Sequence, residues 1–463
     1  MMVWARLRRG TLRGMEKNHE SSGGRRRIPD EGSRPEEILA ALREMGAGDA
    51  KWREGRTFSL VYHAGDEHTA LLKSAAELYF AENALNPMAF GSLKRMENEV
   101  VGMALDLLGA PEGAAGSMTS GGTESILMAL KTYRDRARAL RPEVSQPEVV
   151  LPSTAHPAFH KAAHYLSVKA VPVPVARDYR ADVIAMREAI SDNTIALVGS
   201  APAYPQGVVD PIEEIADLAA SRGLPMHVDA CVGGYLLPFV RELGYPVPAF
   251  DFRVPGVTSI SADLHKYGYA AKGASTILYR DRALRKYQAF VYPDWPGGVF
   301  VSMSMLGTRA GGPIAAAWAS LMKMGRSGFL KTAGEVMKTA QAFMEGIQRI
   351  PGLFIVGQPA MSVFAFASSE VNLYVVADQM EGRGWHCDRQ QGPTAIHLMI
   401  TPAHADLADR YLADLADAVE YARAHPEAAG AGTAAMYGML ANAPDPAMLR
   451  EFLVDFVDGI YRG

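Results

Sequence analysis

The chain of 463 residues has few cysteines and little net charge. Its two cysteines, Cys231 and Cys387, cannot form a disulfide framework and fit a reducing compartment. No apolar run reaches the roughly 20 residues that cross a bilayer. The net charge of -4 provides no basic surface for nucleic acid. We therefore expect a soluble, cytoplasmic protein without a transmembrane segment or a nucleic-acid partner.

Internal repeats and sustained low-complexity regions are also missing, and no metal site is predicted. The content of 48% hydrophobic and 21% charged residues is ordinary for a globular protein, and the length suffices for two or three domains. We predict a disordered basic extension over residues 1–33 and an N-terminal arm with helices at a subunit interface over 34–100. A large α/β domain over 101–325 and a small C-terminal α+β domain over 326–463 would follow.

The middle of the chain alternates apolar runs with helical segments. Two segments are predicted as helices between strands, 182–190 and 212–222. The predicted strands cover residues 149–151, 170–175, 195–198, 225–228, 257–260 and 275–279. This alternation predicts an α/β fold with a mostly parallel central sheet covered by helices. In such sheets, ligands bind at the carboxyl ends of the strands.

One lysine, Lys266, follows the β-branched run at 257–260, in the stretch Ser-Ala-Asp-Leu-His-Lys-Tyr-Gly-Tyr. His265 precedes it, and aromatic and glycine residues follow it. An arbitrary lysine is usually a solvated surface residue. This neighbourhood favours another hypothesis, namely that Lys266 carries pyridoxal phosphate as a Schiff base.

Two other side chains come directly after predicted strands. Asp229 stands at the carboxyl end of Leu-Pro-Met-His-Val, where it could pair with a pyridinium nitrogen or merely cap the next turn. His156 follows the strand at 149–151, where it could stack on a flat ring or simply be a turn residue. The residue pattern alone leaves both pairs of alternatives open.

A glycine-rich turn precedes a strong helix in Thr-Ser-Gly-Gly-Thr-Glu-Ser-Ile-Leu-Met-Ala, residues 119–129. Backbone N–H groups at such a helix start can bind an anion. A phosphate could lie on Gly122 and Thr123, although the same residues also suit an ordinary helix N-terminus.

Taken in chain order, the Gly-Gly-Thr turn, His156, the Val-Asp-Ala motif ending in Cys231 and the His-Lys motif resemble the group II pyridoxal-phosphate decarboxylases. That resemblance implies the aspartate-aminotransferase fold, also called fold type I. Longer strings resemble the sphingosine-1-phosphate lyase family more specifically, from about Trp52 to the C-terminus. They cover residues 119–129, 250–263, 265–275 and 435–439.

The resemblance implies a role for each matching residue. Lys266 matches the Schiff-base lysine, Asp229 the partner of the pyridine nitrogen and His156 the ring-stacking residue, with His265 beside the cofactor. The matching cofactor-phosphate positions are Gly122, Thr123 and Thr308, and Thr308 would reach the neighbouring subunit of a homodimer with shared active sites. Residues matching the substrate-phosphate end are Lys272, Tyr62 and Asn86.

The resemblance implies cleavage of the C2–C3 bond of a phosphorylated long-chain base by retro-aldol chemistry. The products would be a long-chain aldehyde and phosphoethanolamine. The chain departs from the family at Asn86, where members commonly have histidine, and in lacking the membrane helix of eukaryotic members. An amino-acid decarboxylase and a non-catalytic protein that binds pyridoxal phosphate remain alternative interpretations.

Overall fold

The computed structural model describes residues 27–441 and 446–461, so most of the predicted extension over 1–33 lies outside the described residues. The described residues form two compact units, one of residues 51–435 and one of residues 27–50 together with those from 436 onward. The predicted boundaries at residues 100 and 325 stay predictions. Within the described ranges, no helix is both long and apolar enough to span a membrane.

The elements of the chain are numbered in order. The helices are α1 (Pro35–Met45), α2 (Asp66–Leu78), α3 (Gly91–Leu107), α4 (Gly122–Leu140), α5 (Ala158–Leu166), α6 (Val183–Ala189), α7 (Ile212–Ser221), α8 (Leu237–Glu242), α9 (Arg282–Arg285), α10 (Gly311–Arg349), α11 (Leu373–Gly382), α12 (Ala408–Ala424), α13 (Gly432–Ala441) and α14 (Pro446–Ile460). The strands are β1 (Ala115–Thr119), β2 (Glu148–Pro152), β3 (Lys169–Val173), β4 (Thr194–Ser200), β5 (Met226–Asp229), β6 (Ser259–Ala262), β7 (Ser275–Tyr279), β8 (Phe290–Tyr292), β9 (Phe300–Ser302), β10 (Leu353–Ile355), β11 (Val363–Ser368), β12 (Asp388–Gln390) and β13 (Ala395–Met399).

The central sheet has seven strands in the order β1-β7-β6-β5-β4-β2-β3. Strands β3, β2, β4, β5 and β6 pair in parallel, whereas β7 runs antiparallel to both β6 and β1. The mostly parallel α/β sheet predicted from the alternation is therefore confirmed. Because β5 and β6 are parallel neighbours, the residues that follow them emerge at the same edge.

Both faces of this sheet are buried, as its continuous apolar runs require. In β7, Ile277 and Tyr279 pack in one apolar cluster and Leu278 packs in another. Strand β4 divides its side chains in the same way, with Ala196 and Val198 in one cluster and Leu197 in the other. This alternation follows from the two-residue period of a strand.

The C-terminal part of the larger unit contains a four-stranded antiparallel sheet in the order β10-β11-β13-β12. Helix α10 leads to it and changes direction at Gly325, whose φ of 53° and ψ of 177° are not helical. This antiparallel sheet and its helices confirm the small α+β architecture predicted from the sequence.

Candidate active site

The turn after β6 carries the lysine to the edge of the sheet. The backbone N–H of Lys266 donates to the carbonyl of Asp263, and the N–H of Tyr269 donates in turn to the carbonyl of Lys266. Gly268 allows this close turn, because a Cβ there would lie 2.5 Å from the carbonyl oxygen of Leu264. The tight turn fixes the backbone of Lys266 next to the end of its strand.

The Lys266 amine lies in a cavity of about 350 Å³, within the size range of small-molecule sites. Six of the predicted site residues line it together. They are Gly122, Thr123, His156, Asp229, His265 and Lys266. Ser120, Gly121, Glu124, Ile126, Cys231 and Asp263 complete the lining.

Asp229 ends β5 and is 8% exposed. Its Oδ1 accepts hydrogen bonds from the Cys231 N–H at 3.0 Å and from the Ser261 hydroxyl at 3.2 Å. Ser261 stands opposite Asp229 on β6 and also contacts His227 Nε2 at 3.2 Å. Burial lowers the pKa of His227 to about 4 against the opposing charge of Asp229, so this imidazole is neutral at pH 7. Neutral donors thus fix the Asp229 carboxylate, which keeps its second oxygen for a cationic partner.

Asp263 is a second carboxylate at the same edge, one residue beyond β6. Its Oδ2 lies 3.0 Å from Lys266 Nζ and 3.5 Å from His265 Nε2, and the side chain is 1% exposed. Burial raises the pKa of Asp263, but the charge of Lys266 and the imidazole of His265 outweigh burial and lower it. Burial likewise opposes the charge of Lys266, yet the Asp263 carboxylate raises the pKa of this amine above its ordinary value.

The two histidines of the cavity are held differently. His265 Nδ1 accepts the Ala274 N–H at 3.2 Å, which leaves Nε2 with the proton and next to Asp263. His156 Nδ1 accepts the Ala158 N–H at 3.1 Å at the start of α5, while its ring stays exposed. Partial desolvation lowers the pKa of His156, Asp229 opposes this shift and Lys266 adds to it. A neutral, accessible imidazole face therefore lies in the cavity.

Helix α4 presents its N-terminus to the cavity. Gly121 precedes the helix and provides no side-chain cap, so the first-turn N–H groups are available to an anion. Gly122 packs so closely on the site that a Cβ would lie 2.7 Å from Asp263 Oδ2 and 2.8 Å from Cys231 Sγ. Glu124 holds the turn, because its Oε2 accepts both the N–H and the hydroxyl of Ser120 at 2.7 Å.

The predicted substrate-side residues Lys272 and Tyr62 lie together. Lys272 Nζ is 5.1 Å from the centre of the Tyr62 ring and donates to the His265 carbonyl at 3.1 Å. Partial desolvation lowers the pKa of Lys272 to about 8, the charge of Lys266 adds to this shift, and Asp263 opposes it. The pair is thus connected to the cavity through His265.

Like Lys272 and Tyr62, two more predicted site residues do not line this cavity. Asn86 lines a different cavity, of about 610 Å³, and its Oδ1 accepts the N–H groups of Met88 and Ala89. Thr308 accepts a hydrogen bond from Asn83 Nδ2 at 3.3 Å on an exposed surface. Among the described residues that line the Lys266 cavity, neither is present.

Sequence reasoning missed Asp263, Glu124 and Tyr204 as parts of the site. Asp263 could have been found by the rule that found Asp229, since each carboxylate ends a parallel strand. Glu124 carries the usual signal of an acidic first helical turn. Tyr204 follows β4, and the charge of Lys266 lowers its pKa against the larger, raising effect of burial. No sequence signal separates Tyr204 from other loop tyrosines.

These residues fit pyridoxal phosphate. The cavity offers an amine, an uncompensated carboxylate at Asp229, an exposed imidazole face and a glycine cradle at a helix start. The Asp263 Oδ1 atom is buried without a hydrogen-bond partner among the described residues, as expected where a polar group is to be bound. Each feature corresponds to a part of the cofactor, namely its aldehyde, ring nitrogen, ring face and phosphate.

Comparison with known proteins agrees with this fit. Residues 26–369 match the model of the pyridoxal-dependent decarboxylase conserved domain. The chain therefore belongs to a family of enzymes that use pyridoxal phosphate, and its fold is the α/β fold of that family.

Individual proteins that are similar to this chain identify its family more specifically. The chain is 42% identical to the sphingosine-1-phosphate lyase of Oryza sativa over 91% of this chain and 79% of the relative. It is 42% identical to sphingosine-1-phosphate lyase 1 of Rattus norvegicus over 94% of this chain and 77% of the relative. The solved sphingosine-1-phosphate lyase of Burkholderia pseudomallei is similar with a TM-score of 0.84 and 39% identity, covering 92% of this chain and 99% of that one. The chain belongs to the sphingosine-1-phosphate lyase family.

Proposed function

We propose that this chain is a carbon–carbon lyase that depends on pyridoxal phosphate and cleaves sphingosine 1-phosphate or dihydrosphingosine 1-phosphate. The bond between C2 and C3 breaks, and the products are a long-chain aldehyde and phosphoethanolamine. The observation that carries this proposal is a cation next to the cavity of Lys266, namely Lys272, which lies over Tyr62 at 5.1 Å. An aromatic amino acid to be decarboxylated has no second anionic group for such a cation to bind.

The cofactor, when bound, supplies an aldehyde carbon for attachment of amines and a conjugated ring that accepts the electron pair of a broken bond. Lys266 is the attachment point. Asp229, whose Oδ1 accepts two hydrogen bonds from neutral donors, would pair with the ring nitrogen. His156 would stack on the ring, and the N–H groups of Gly122 and Thr123 would bind the cofactor phosphate.

The proton transfers balance within the reaction. The C3 hydroxyl loses its proton to a base as C3 becomes the aldehyde carbon, and C2 gains a proton after the bond breaks. Lys266, as a free amine once the substrate is bound, would carry the proton to C2. One proton leaves and one enters, so no other reactant is needed.

We further propose that the enzyme is a homodimer in which Thr308 and Asn86 act on the neighbouring subunit. Neither residue lines the Lys266 cavity of its own chain. Near Thr308, strands β8 and β9 carry large exposed apolar side chains, including Phe290 at 55% and Val301 at 51% exposure. An exposed two-stranded ribbon with several large apolar side chains is typical of a protein–protein interface. Sedimentation of the purified protein tests the dimer, and a monomer at assay concentration contradicts it.

The experiment for the main proposal offers the purified holoenzyme dihydrosphingosine 1-phosphate and, separately, acidic and aromatic amino acids. We expect long-chain aldehyde and phosphoethanolamine in equal amounts and no carbon dioxide. Carbon dioxide from an amino acid, with no aldehyde from the phosphorylated base, would instead support the alternative of an amino-acid decarboxylase. Absence of all products from protein that binds the cofactor would support a non-catalytic role.

A further inference from the structure

The cavity contains two carboxylates with different partners. Asp229 is held by neutral donors, the Cys231 N–H and the Ser261 hydroxyl. Asp263 instead contacts the two cationic or proton-bearing groups, Lys266 Nζ at 3.0 Å and His265 Nε2 at 3.5 Å. Since one carboxylate is left for the ring nitrogen, the other is available for a separate task at the lysine.

The surroundings fix Asp263 in this arrangement. Its side chain is 1% exposed and packs against Gly122, whose missing Cβ would lie only 2.7 Å from Oδ2. The His265 ring that contacts it is itself oriented by the Ala274 N–H. Because packing against Gly122 and the contact with His265 hold the Asp263 carboxylate in place, its ion pair with the charged Lys266 amine has a fixed geometry.

We propose that Asp263 is a positioning residue that holds the nitrogen of Lys266 in its proton-bearing form, both while the cofactor is attached and after the substrate amine has released it. The second half of this inference rests on the proposed lyase function. A long-chain base arrives as an ammonium at neutral pH. When its nitrogen replaces Nζ on the cofactor carbon, its extra proton passes to Nζ, and Lys266 leaves as an ammonium paired with Asp263.

That ammonium is the proton donor for C2. Transfer of its proton to C2 forms the C–H bond and leaves a neutral amine, which can attack the cofactor carbon again and release the product amine. Asp263 therefore acts through Lys266 and needs no contact with the substrate. Other titratable groups also surround the lysine. They are Asp229, Cys231, His156, His265, Lys272 and Tyr204.

Electrostatics supports this assignment. Burial by itself lowers the pKa of Lys266, and Asp263 is the first of the groups that raise it. Without the Asp263 charge, burial would be opposed only by the smaller effects of Cys231 and Asp229. Neutralising Asp263 should therefore favour loss of the proton from the lysine nitrogen.

The test replaces Asp263 by its isosteric amide, Asp263→Asn, and titrates the visible absorbance of the holoenzyme with pH. The midpoint reports the proton on the nitrogen that joins Lys266 to the cofactor. We expect the midpoint to fall by at least about one pH unit, which is a tenfold change in the proton-binding constant. A midpoint equal to that of the wild type overturns the proposal.

The matched control is Glu148→Gln. Glu148 is also a shielded carboxylate paired with a lysine, with Oε1 at 2.8 Å from Lys169 Nζ, but it lies at the start of β2 outside the cavity. This variant should keep the wild-type midpoint. A shift of the same size in both variants would show a general effect of lost negative charge and would overturn the specific role of Asp263.

A second measurement compares turnover at equal cofactor content. With dihydrosphingosine 1-phosphate, Asp263→Asn should lose at least about tenfold in kcat with little change in KM, because proton transfer is impaired and the phosphate contacts are intact. If the absorbance midpoint shifts in Asp263→Asn but kcat is unchanged, Asp263 has no role in delivering the proton to C2. If the wild type itself makes no aldehyde, the proposed function fails, whereas the absorbance titration still decides the part played by Asp263 at Lys266.

The wild-type holoenzyme provides a test that does not depend on folding of the variant. Its absorbance should keep the proton-bearing form between about pH 6 and pH 8, the range in which an unshifted histidine titrates. Loss of that form within this range would mean that Asp263 does not hold the proton and would overturn the proposal.

Discussion

Replacement of Lys272 tests how the substrate phosphate is recognised. Lys272→Met removes a charge that lies next to Tyr62 and His265 but keeps most of the apolar stem. A hydrogen bond to a charged group contributes about 1.5–3 kcal/mol, and each 1.4 kcal/mol is a factor of ten in binding. We therefore expect KM for the phosphorylated base to rise by about 10- to 150-fold, with a smaller effect on kcat.

The lowered pKa of Lys272 gives this prediction a pH dependence. A lysine is charged below its pKa, so a pKa of about 8 means that the charge is lost as pH rises from about 7 to about 9, rather than near the ordinary value of about 10.4. The substrate phosphate becomes a dianion above about pH 6. Binding should therefore be tightest between about pH 6 and pH 8, and KM should rise above pH 8.

Steady-state kinetics across this range is the assay, and Lys272→Arg is the matched control. Arginine stays charged to above about pH 12, so this variant should lose the increase of KM above pH 8. Equal KM values for wild type and Lys272→Met, at every pH, would refute the assignment of Lys272 to the phosphate. A parallel loss with the unphosphorylated base would show that the lysine acts on another part of the substrate.

Three further predictions concern the scaffold of the site. Gly122→Ala should abolish cofactor binding measured by absorbance, because the added Cβ would lie 2.7 Å from Asp263 Oδ2. The control is Gly102→Ala inside α3, where an added Cβ would have no atom within 4 Å. This variant should retain cofactor binding and be at least as stable as the wild type. Glu124→Gln should weaken cofactor binding by about tenfold in equilibrium titration, since both charge-assisted hydrogen bonds from Ser120 lose the carboxylate charge. Unchanged affinity would contradict this role. Asp251→Asn should lower the free energy of unfolding by about 2 kcal/mol, because its carboxylate is fully buried and pairs with Arg241 and Arg253; an unchanged urea midpoint would contradict it.

Much of the large domain could be predicted because its strands are buried on both faces and read as apolar runs. Strand β1 was missed since Gly116 and Ser117 interrupt its apolar character and its neighbour β7 is distant in sequence. Local sequence patterns do not show which strands pair when the strands are far apart in the chain.

The part of the site that lies at the carboxyl ends of strands could be predicted from the sequence. Asp229, His156 and Lys266 follow three strands of one sheet, and parallel pairing brings their carboxyl ends together. The Asp263–Lys266 ion pair was missed because a motif shows which residues are present but not which atoms meet. The locations of Asn86 and Thr308 depend on loops outside the parallel sheet, which the strand-end rule does not cover.

The most direct test of the central claim is the mass of the phosphoethanolamine formed by the wild-type enzyme in heavy water. Cleavage between C2 and C3, followed by proton transfer from the Lys266 ammonium, predicts a single carbon-bound deuterium at the former C2 and an equal amount of long-chain aldehyde, because the ammonium protons exchange with solvent. Phosphoethanolamine without carbon-bound deuterium, or carbon dioxide release without aldehyde, would contradict the account.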